Sequence, residues 1–175
     1  MPFRPRPVLF LDVDGPLIPF GASSRGRPGG YKTFTPATRL PPDANPLLSR
    51  LDPSMGPSLL ALDCDMVWAT SWMHEANDVV APLLGLGALP VVDWPEPDEQ
   101  SDADARRRVH WKTRALVDWA FGRDFVWIDD EITDVDERYV AAQHRGAALL
   151  VRVEAEAGLT SGDLDRVRSW RIGRG

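Results

Sequence analysis

The sequence lacks three features, and each absence excludes a class of protein. Its single cysteine, Cys64, cannot form an internal disulfide, and residues 62–66 do not have the spacing of a metal site. No apolar run approaches the ~20 residues of a membrane span. The apolar run after Arg6 is interrupted at Asp12, too early for a secretory signal. We therefore expect a soluble, cytoplasmic protein with no membrane partner and a reduced thiol.

Positive charge is also scarce. The 175 residues carry a formal net charge of −6, and only two of them are lysines, Lys32 and Lys112. A general binder of nucleic acid or anionic membranes usually presents a basic face, so the charge disfavours that class. Arg25 and Arg27 lie close to Lys32, however, which leaves a nucleic-acid partner open. The length suits one compact domain, and we expect a single domain over residues 1–175.

The most informative stretch is a short apolar run that ends in two carboxylates. Val8–Leu11 has the composition of a strand buried on both faces of a parallel sheet, and Asp12, Asp14 and Gly15 follow it. Open α/β sheets bind their ligands at the carboxyl ends of their strands. Two like charges this close are unfavourable unless a cation or a shared proton offsets them. The stretch therefore predicts a site at the sheet edge; the alternative is a strand that simply ends in polar residues.

The rest of the chain alternates strand patterns with helix patterns. Further strands are predicted at residues 66–69, 90–94, 125–128 and 148–153, with helices at about 73–84, 102–121 and 160–170. This alternation is typical of an α/β fold, here a Rossmann-like, five-stranded parallel sheet with helices on both faces. Residues 16–59, after the first strand, are rich in proline and glycine, so we expect a loop-rich insertion there.

Three further groups complement the first pair of acids. Thr70 and Ser71 follow the second strand, Asp129 and Asp130 follow the fourth, and Lys112 lies early in the helix before it. Because the carboxyl ends of parallel strands share one edge of the sheet, these groups can converge on the acids of the first strand. Carboxylate oxygens suit Mg²⁺, the start of a helix suits an anion, and a lysine stabilises negative charge. The set predicts a site for a divalent cation and an anion.

In this order along the chain, the groups resemble the four motifs of the haloacid dehalogenase (HAD) superfamily. Motif one corresponds to residues 9–15, motif two to residues 67–70, motif three to Lys112, and motif four to residues 128–130 with Asp134. Pro16 departs from the Thr or Val that often follows the motif-one glycine. Residues 68–77 also resemble small bacterial HAD proteins, including the HAD domain of proposed RNA-repair proteins. The resemblance implies a HAD-like fold, and the spacing leaves no room for a large cap domain.

The resemblance also implies a phosphatase that forms an aspartyl-phosphate. By resemblance, Asp12 is the nucleophile, and Asp14 protonates the leaving oxygen and then activates water as general base. Thr70 would hold a phosphoryl oxygen, with Ser71 beside it in the substrate-binding set. Lys112 would stabilise the charge of the phosphoryl group.

The implied cofactor is Mg²⁺. By resemblance, it would be bound by Asp12, by the backbone carbonyl of Asp14 and by one acid of motif four. We favour Asp130 over Asp129 as that ligand, because Asp134 then falls at the family's spacing for a supporting acid. Capping of the next helix is an equally good explanation of Asp134.

Three other kinds of protein combine some of the same residue types. A response-regulator receiver also combines acids, Thr and Lys, but its acid pair precedes the phosphorylated Asp, so the order here excludes it. A dinucleotide-binding domain needs a glycine-rich turn after the first strand, which is absent. The remaining alternative is a catalytically silent HAD-like binding or regulatory module. For an active enzyme, an open site would accept a small phosphate ester or the phosphorylated end group of a nucleic acid or protein.

Overall fold

The computed structural model describes residues 5–21, 30–36, 40 and 42–173, and its framework is a parallel β-sheet. The strands are β1 (Val8–Leu11), β2 (Asp65–Trp68), β3 (Phe125–Asp129) and β4 (Ala148–Arg152), in the spatial order β2-β1-β3-β4. All three pairings are parallel, and β1 lies between β2 and β3. The residues that follow β1 therefore emerge in the middle of the carboxyl edge, between two neighbouring strand ends.

Helices fill the connections between the strands, as predicted. In the described part of the chain they are a 3₁₀ helix (Pro46–Arg50), α1 (Met55–Leu60), a π-helical segment (Ala76–Val80) that continues into α2 (Ala81–Leu83), α3 (Glu99–Arg106), α4 (Thr113–Ala120), α5 (Asp134–Gln143) and α6 (Ser161–Ile172). The last helix begins with a capping box, in which Thr160 and Asp163 exchange side-chain-to-backbone hydrogen bonds. None of the described helices is long and apolar enough to cross a membrane.

The central strands β1 and β3 are buried along their full length, between hydrophobic clusters on the two faces of the sheet, which confirms the predicted α/β fold. Alternate residues of β1 belong to different hydrophobic clusters, because side chains of a strand alternate between its two sides. Leu9 and Leu11 pack in a cluster that contains Leu164 and Val167 of α6. Phe10 lies in the opposite cluster, whose members include residues of α4 and α5.

The predicted five-stranded sheet is wrong by one strand: the described residues form four. Residues 90–94 make only an isolated parallel bridge, between Val91 and Trp68 of β2. Pro90 O accepts from the Trp68 N–H, and the Val92 N–H donates to Trp68 O, both at 2.9 Å. Pro90 and Pro95 have no N–H to donate, so the backbone between these prolines cannot extend the ladder in both directions.

The predicted helix at 102–121 is two helices, α3 and α4, separated by residues 107–112. Arg108 lies at the break with a positive φ of 61°, a conformation that a continuing helix does not allow. The break places Lys112 at the N-cap of α4 rather than within a helix. Neither glycine nor proline marks this break in the sequence.

The segment after β1 matches the expected loop-rich insertion where it is described. Residues 30–36 form no regular structure, and the first helix of the segment is the 3₁₀ helix Pro46–Arg50, whose N-cap Asn45 accepts from the Leu47 N–H at 3.0 Å. The basic residues Arg25 and Arg27 lie outside the described residues.

Candidate active site

Asp12 lies at the carboxyl end of β1, beside the end of β3. Its backbone N–H donates to Ile128 O at 3.1 Å. The side chain is only 6% exposed, and both of its oxygens are held. Oδ1 accepts from the Val13 N–H at 2.8 Å, and Oδ2 accepts from Lys112 Nζ at 2.7 Å. The carboxylate is therefore fixed in one orientation at the sheet edge.

Lys112 bridges two buried carboxylates. Its Nζ lies 2.7 Å from Asp12 Oδ2 and 2.8 Å from Asp129 Oδ2. Lys112 as a whole is only 2% exposed. Asp129 is fully buried and also accepts from Trp127 Nε1 at 3.2 Å and from the Glu131 N–H at 3.0 Å. A buried charge needs a partner and hydrogen bonds, and this arrangement supplies both. It still leaves two carboxylates against one ammonium.

Burial and the charge of the neighbouring groups shift the pKa values of Asp12 and Lys112 in opposite directions. Burial raises the pKa of Asp12 to about 7; the ammonium of Lys112 opposes the rise, and Asp129 adds to it. Burial acts to lower the pKa of Lys112, but the charges of Asp12 and Asp129 outweigh it and raise that pKa above its usual value. Burial therefore dominates the pKa of Asp12, whereas the two neighbouring carboxylates dominate the pKa of Lys112. Lys112 is therefore cationic, and the excess charge is negative.

Asp130 completes a group of three acids with a surplus of negative charge. One carboxylate oxygen from each of Asp12, Asp129 and Asp130 lies within 4.8 Å of the others. Burial and the neighbouring Asp129 raise the pKa of Asp130. Hard carboxylate oxygens at this spacing are the donors that Mg²⁺ prefers, and its charge would offset the surplus. The residues present therefore fit a Mg²⁺ site.

Gly15 allows Asp130 to approach the loop after β1. A Cβ at Gly15 would lie 2.6 Å from Asp130 Cγ, and the residue has a φ of +85°, which favours glycine. Any side chain here would displace Asp130 from the acid cluster. The glycine of the first motif thus has a steric role in the site.

Trp72 connects the ends of β1 and β2. The Ala69 N–H donates to Leu11 O at 2.9 Å, which keeps the following Thr70 at the same edge of the sheet. Thr70 is fully buried, and its Oγ1 accepts from the Trp72 N–H at 3.3 Å. The indole Nε1 of Trp72 donates to Asp14 Oδ2 at 2.9 Å. One residue thus holds both the hydroxyl and the half-buried carboxylate, a role the sequence did not indicate.

Two predicted residues lie outside this buried network. Ser71 has an exposed side chain, and so has Asp134, which lies in the first turn of α5. The buried acid of that helix is instead Asp136, which is fully inaccessible to solvent.

Asp136 was missed by sequence reasoning, and it anchors the segment that carries Lys112. Its Oδ1 accepts from the His110 N–H and from Thr113 Oγ1, both at 2.7 Å. Its Oδ2 accepts from the Thr133 N–H at 2.9 Å and from Thr133 Oγ1 at 2.7 Å. Thr133 and Asp136 form a capping box, and the Thr-x-x-Asp spacing is the sequence signal that could have identified Asp136.

A family model described as "HAD domain in Swiss Army Knife RNA repair proteins" matches residues 8–164, from the first residue of β1 into α6. No curated protein and no solved structure matches the chain.

Proposed function

Because the chain belongs to the HAD-domain family of Swiss Army Knife RNA repair proteins, within a superfamily of hydrolases, we propose that it is a Mg²⁺-dependent phosphatase that forms an aspartyl-phosphate on Asp12. The observation that carries this proposal is the buried cluster in which Lys112 Nζ lies 2.7 Å from Asp12, with Asp129 and Asp130 beside it. A nucleophilic carboxylate, a fixed cation and a cation-binding acid pair are the groups that phosphoryl transfer requires.

In the first step, a carboxylate oxygen of Asp12 attacks phosphorus, and the bond from phosphorus to the leaving oxygen breaks. Asp14 gives its proton to that oxygen, so the alcohol leaves neutral. The hydrogen bond from Trp72 to Asp14 Oδ2 supports this role, because it fixes the carboxyl group while the other oxygen can carry the proton.

In the second step, Asp14 removes a proton from water, whose oxygen attacks phosphorus. The bond from phosphorus to Asp12 breaks, which releases inorganic phosphate and restores the carboxylate. The buried hydroxyl of Thr70 would donate to a phosphoryl oxygen; its Oγ1 already accepts from the Trp72 N–H, so its hydrogen is available. Lys112 stabilises negative charge throughout.

Asp12, Asp130 and the backbone carbonyl of Asp14 would hold the Mg²⁺. Bound there, the ion would neutralise negative charge on the phosphoryl group. Of the two acids that end β3, we place Asp129 in a supporting role, because it is fully buried and pairs with Lys112, whereas Asp130 is half-buried.

For the substrate, we propose a phosphate monoester, with the phosphorylated end of an RNA strand as the first candidate. The description of the family, which refers to RNA repair, supports this choice. A phosphoprotein or a small phosphate ester is the alternative. The other functional class is a catalytically silent binding module with the same fold.

A phosphate-release assay separates these classes. The protein is incubated with Mg²⁺ and a panel of p-nitrophenyl phosphate, sugar phosphates, nucleotides, phosphopeptides and end-phosphorylated RNA. We expect release that requires Mg²⁺ and is abolished in Asp12→Asn. The control is Asp165→Asn, the same chemical change at an exposed position of α6. No release from any substrate, or equal release by wild type and Asp12→Asn, would leave the silent module as the correct class.

A further inference from the structure

A cavity of about 140 Å³ lies beside the candidate active site, between the break after α3 and the segment that follows residue 92. Its walls are largely apolar and include two tryptophans, Trp94 and Trp111. Their ring centroids are 4.7 Å apart and their planes are inclined at 71°, an edge-to-face pair. Trp111 is 55% exposed, which is unusual for so large an apolar side chain and leaves its ring accessible.

The tryptophan pair touches two groups of the reaction site. Trp94 Nε1 donates to the backbone oxygen of Thr70 at 3.2 Å. Lys112 Nζ lies 5.5 Å from the centroid of the Trp111 ring, and the same Nζ lies 2.7 Å from Asp12. A flat group stacked on Trp111 would therefore lie next to a phosphoryl group bound at Asp12.

One wall of the cavity carries an unsatisfied polar atom. Asp104 is 5% exposed, and its Oδ1 accepts from Gln100 Nε2 at 2.9 Å. Its Oδ2 is buried and has no hydrogen-bond donor among the described residues, with Arg114 Nε 3.4 Å away as an ion-pair partner. Buried carboxylate oxygens are normally hydrogen-bonded, so an acceptor whose only contact is the ion pair with Arg114 suits a ligand that brings an N–H.

The combination selects the chemistry of the ligand. The ligand must be flat, so that it can stack on indole rings, and it must present an N–H donor at its edge. As a substrate it must also carry a phosphate ester. Nucleotides have these properties, whereas sugar phosphates and phosphoserine have no aromatic ring to stack. Arg106, Arg107 and Arg108, all exposed, precede the cavity residue Val109 and supply positive charge near it.

We propose that the Trp94–Trp111 cavity binds the nucleobase next to the phosphate that the enzyme removes, so that the substrate is a phosphorylated nucleoside, either free or at the end of a strand. The assignment of the nucleobase to a substrate rests on the proposed phosphatase function. The binding of a nucleoside to the cavity does not.

The test measures the dissociation constant of unphosphorylated adenosine by ligand-observed NMR, so no turnover is needed. We expect saturable binding of adenosine. N6,N6-dimethyladenosine keeps the ring but has no N–H donor, and we expect it to bind about tenfold more weakly. Trp111→Ala should weaken adenosine binding by about tenfold or more, since a stacked base depends on its aromatic partner. Phe121→Ala is the control, because Phe121 is 93% exposed and does not line the cavity.

Equal adenosine binding by wild type and Trp111→Ala, or no binding by wild type, would overturn the proposal. Should Trp111→Ala fail to fold, Ala105→Leu places a larger side chain in the cavity from an exposed position, and it should abolish adenosine binding. Equal binding by Ala105→Leu and wild type would also contradict the cavity as the site.

The rates of phosphate release then show whether the nucleoside belongs to a free nucleotide or to a strand end. We expect kcat/KM for adenosine monophosphate and for an end-phosphorylated oligoadenylate to exceed that for ribose 5-phosphate, with the excess lost in Trp111→Ala. A larger value for the oligonucleotide identifies a strand end, and a larger value for the mononucleotide identifies a free nucleotide. Adenosine binding without turnover of any ester would refute the phosphatase function alone, whereas turnover without adenosine binding would refute the cavity assignment alone.

Discussion

Replacing Asp136 by alanine removes the acceptor of four hydrogen bonds at once. The carboxylate lies in the first turn of α5, and it binds the His110 N–H and Thr113 Oγ1 through one oxygen and two groups of Thr133 through the other. These contacts fix the segment in which Lys112 lies between His110 and Thr113. The substitution therefore tests how strongly Asp136 stabilises the segment that carries Lys112.

The expected loss of stability follows from which donors stay unpaired. Thr133 is exposed, so water can replace the carboxylate there. The His110 N–H is half-buried, and Thr113 is fully buried. Water cannot readily replace the carboxylate at these two donors, and an unsatisfied buried donor costs about 1–3 kcal/mol. Two such donors give a loss of about 4 kcal/mol in the free energy of unfolding. That is a large share of the ~5–15 kcal/mol that stabilises a typical domain.

The assay is urea unfolding followed by far-UV circular dichroism, with Asp134→Ala as the control. Asp134 lies in the same helical turn but is exposed, and its loss should cost at most about 1 kcal/mol through the helix dipole. In a double-mutant cycle, Thr113→Val and Asp136→Ala should be less than additive, because they remove the same hydrogen bond. Equal losses for Asp136→Ala and Asp134→Ala, or full additivity in the cycle, would refute the role given to Asp136.

Three further predictions concern the buried charges and the thiol. Because the folded-state pKa of Asp12 is raised from 3.8 to about 7, its contribution to the stability of the metal-free protein should be lost as pH rises from about 4 to about 7. The difference in unfolding free energy between wild type and Asp12→Asn should follow that trend, and a difference independent of pH would contradict it. Lys112→Met leaves two buried carboxylates without their cation. We expect the free energy of unfolding, measured with urea at pH 7.5 in metal-free buffer, to fall by about 3–5 kcal/mol. An unchanged urea midpoint would show that Lys112 does not pair with both carboxylates. Burial raises the pKa of the Cys64 thiol to about 11, so alkylation by iodoacetamide at pH 8 should be roughly 100-fold slower in the folded protein than in urea, as followed by mass spectrometry; comparable rates would mean that the thiol is accessible.

The strands of the sheet were predictable from the sequence because each contains a short run of apolar residues. Val8–Leu11 and Phe125–Asp129 are buried along their full length, and such runs have few alternative structures in a chain of this size. Residues 90–94 contain a similar apolar pair, Val91 and Val92, but begin at Pro90 and are followed by Pro95. Their failure to form a strand follows from these prolines, which restrict hydrogen bonding at an edge.

The break between α3 and α4 was not predictable from local preferences. Its cause is tertiary, since the His110 N–H is satisfied by Asp136 of a different helix rather than by helix continuation. Local patterns cannot report an acceptor that lies more than twenty residues further along the chain. Asp134 has the spacing of the family motif but is exposed. Asp136 is the buried acid because it accepts the hydrogen bonds from His110 and Thr113.

The acids of the site were predictable because they follow strands whose carboxyl ends meet. The convergence of Asp12 and Asp129 required only the topology of a parallel sheet, whereas Lys112 reaches them from the N-cap of α4, after a break that local patterns do not report. The link from Trp72 to Asp14 was not predictable, since it depends on the direction of one indole ring.

The central claim is that Asp12 forms a covalent bond to phosphorus, and trapping that bond tests it most directly. Wild-type protein turning over a phosphate ester with Mg²⁺ is quenched in acid and treated with borohydride, which reduces an acyl phosphate to an alcohol. Peptide mass spectrometry then locates the reduced residue. The account predicts reduction at Asp12 alone, and none in Asp12→Asn. Turnover with an unmodified Asp12, or with the reduced residue at another acid, would contradict it.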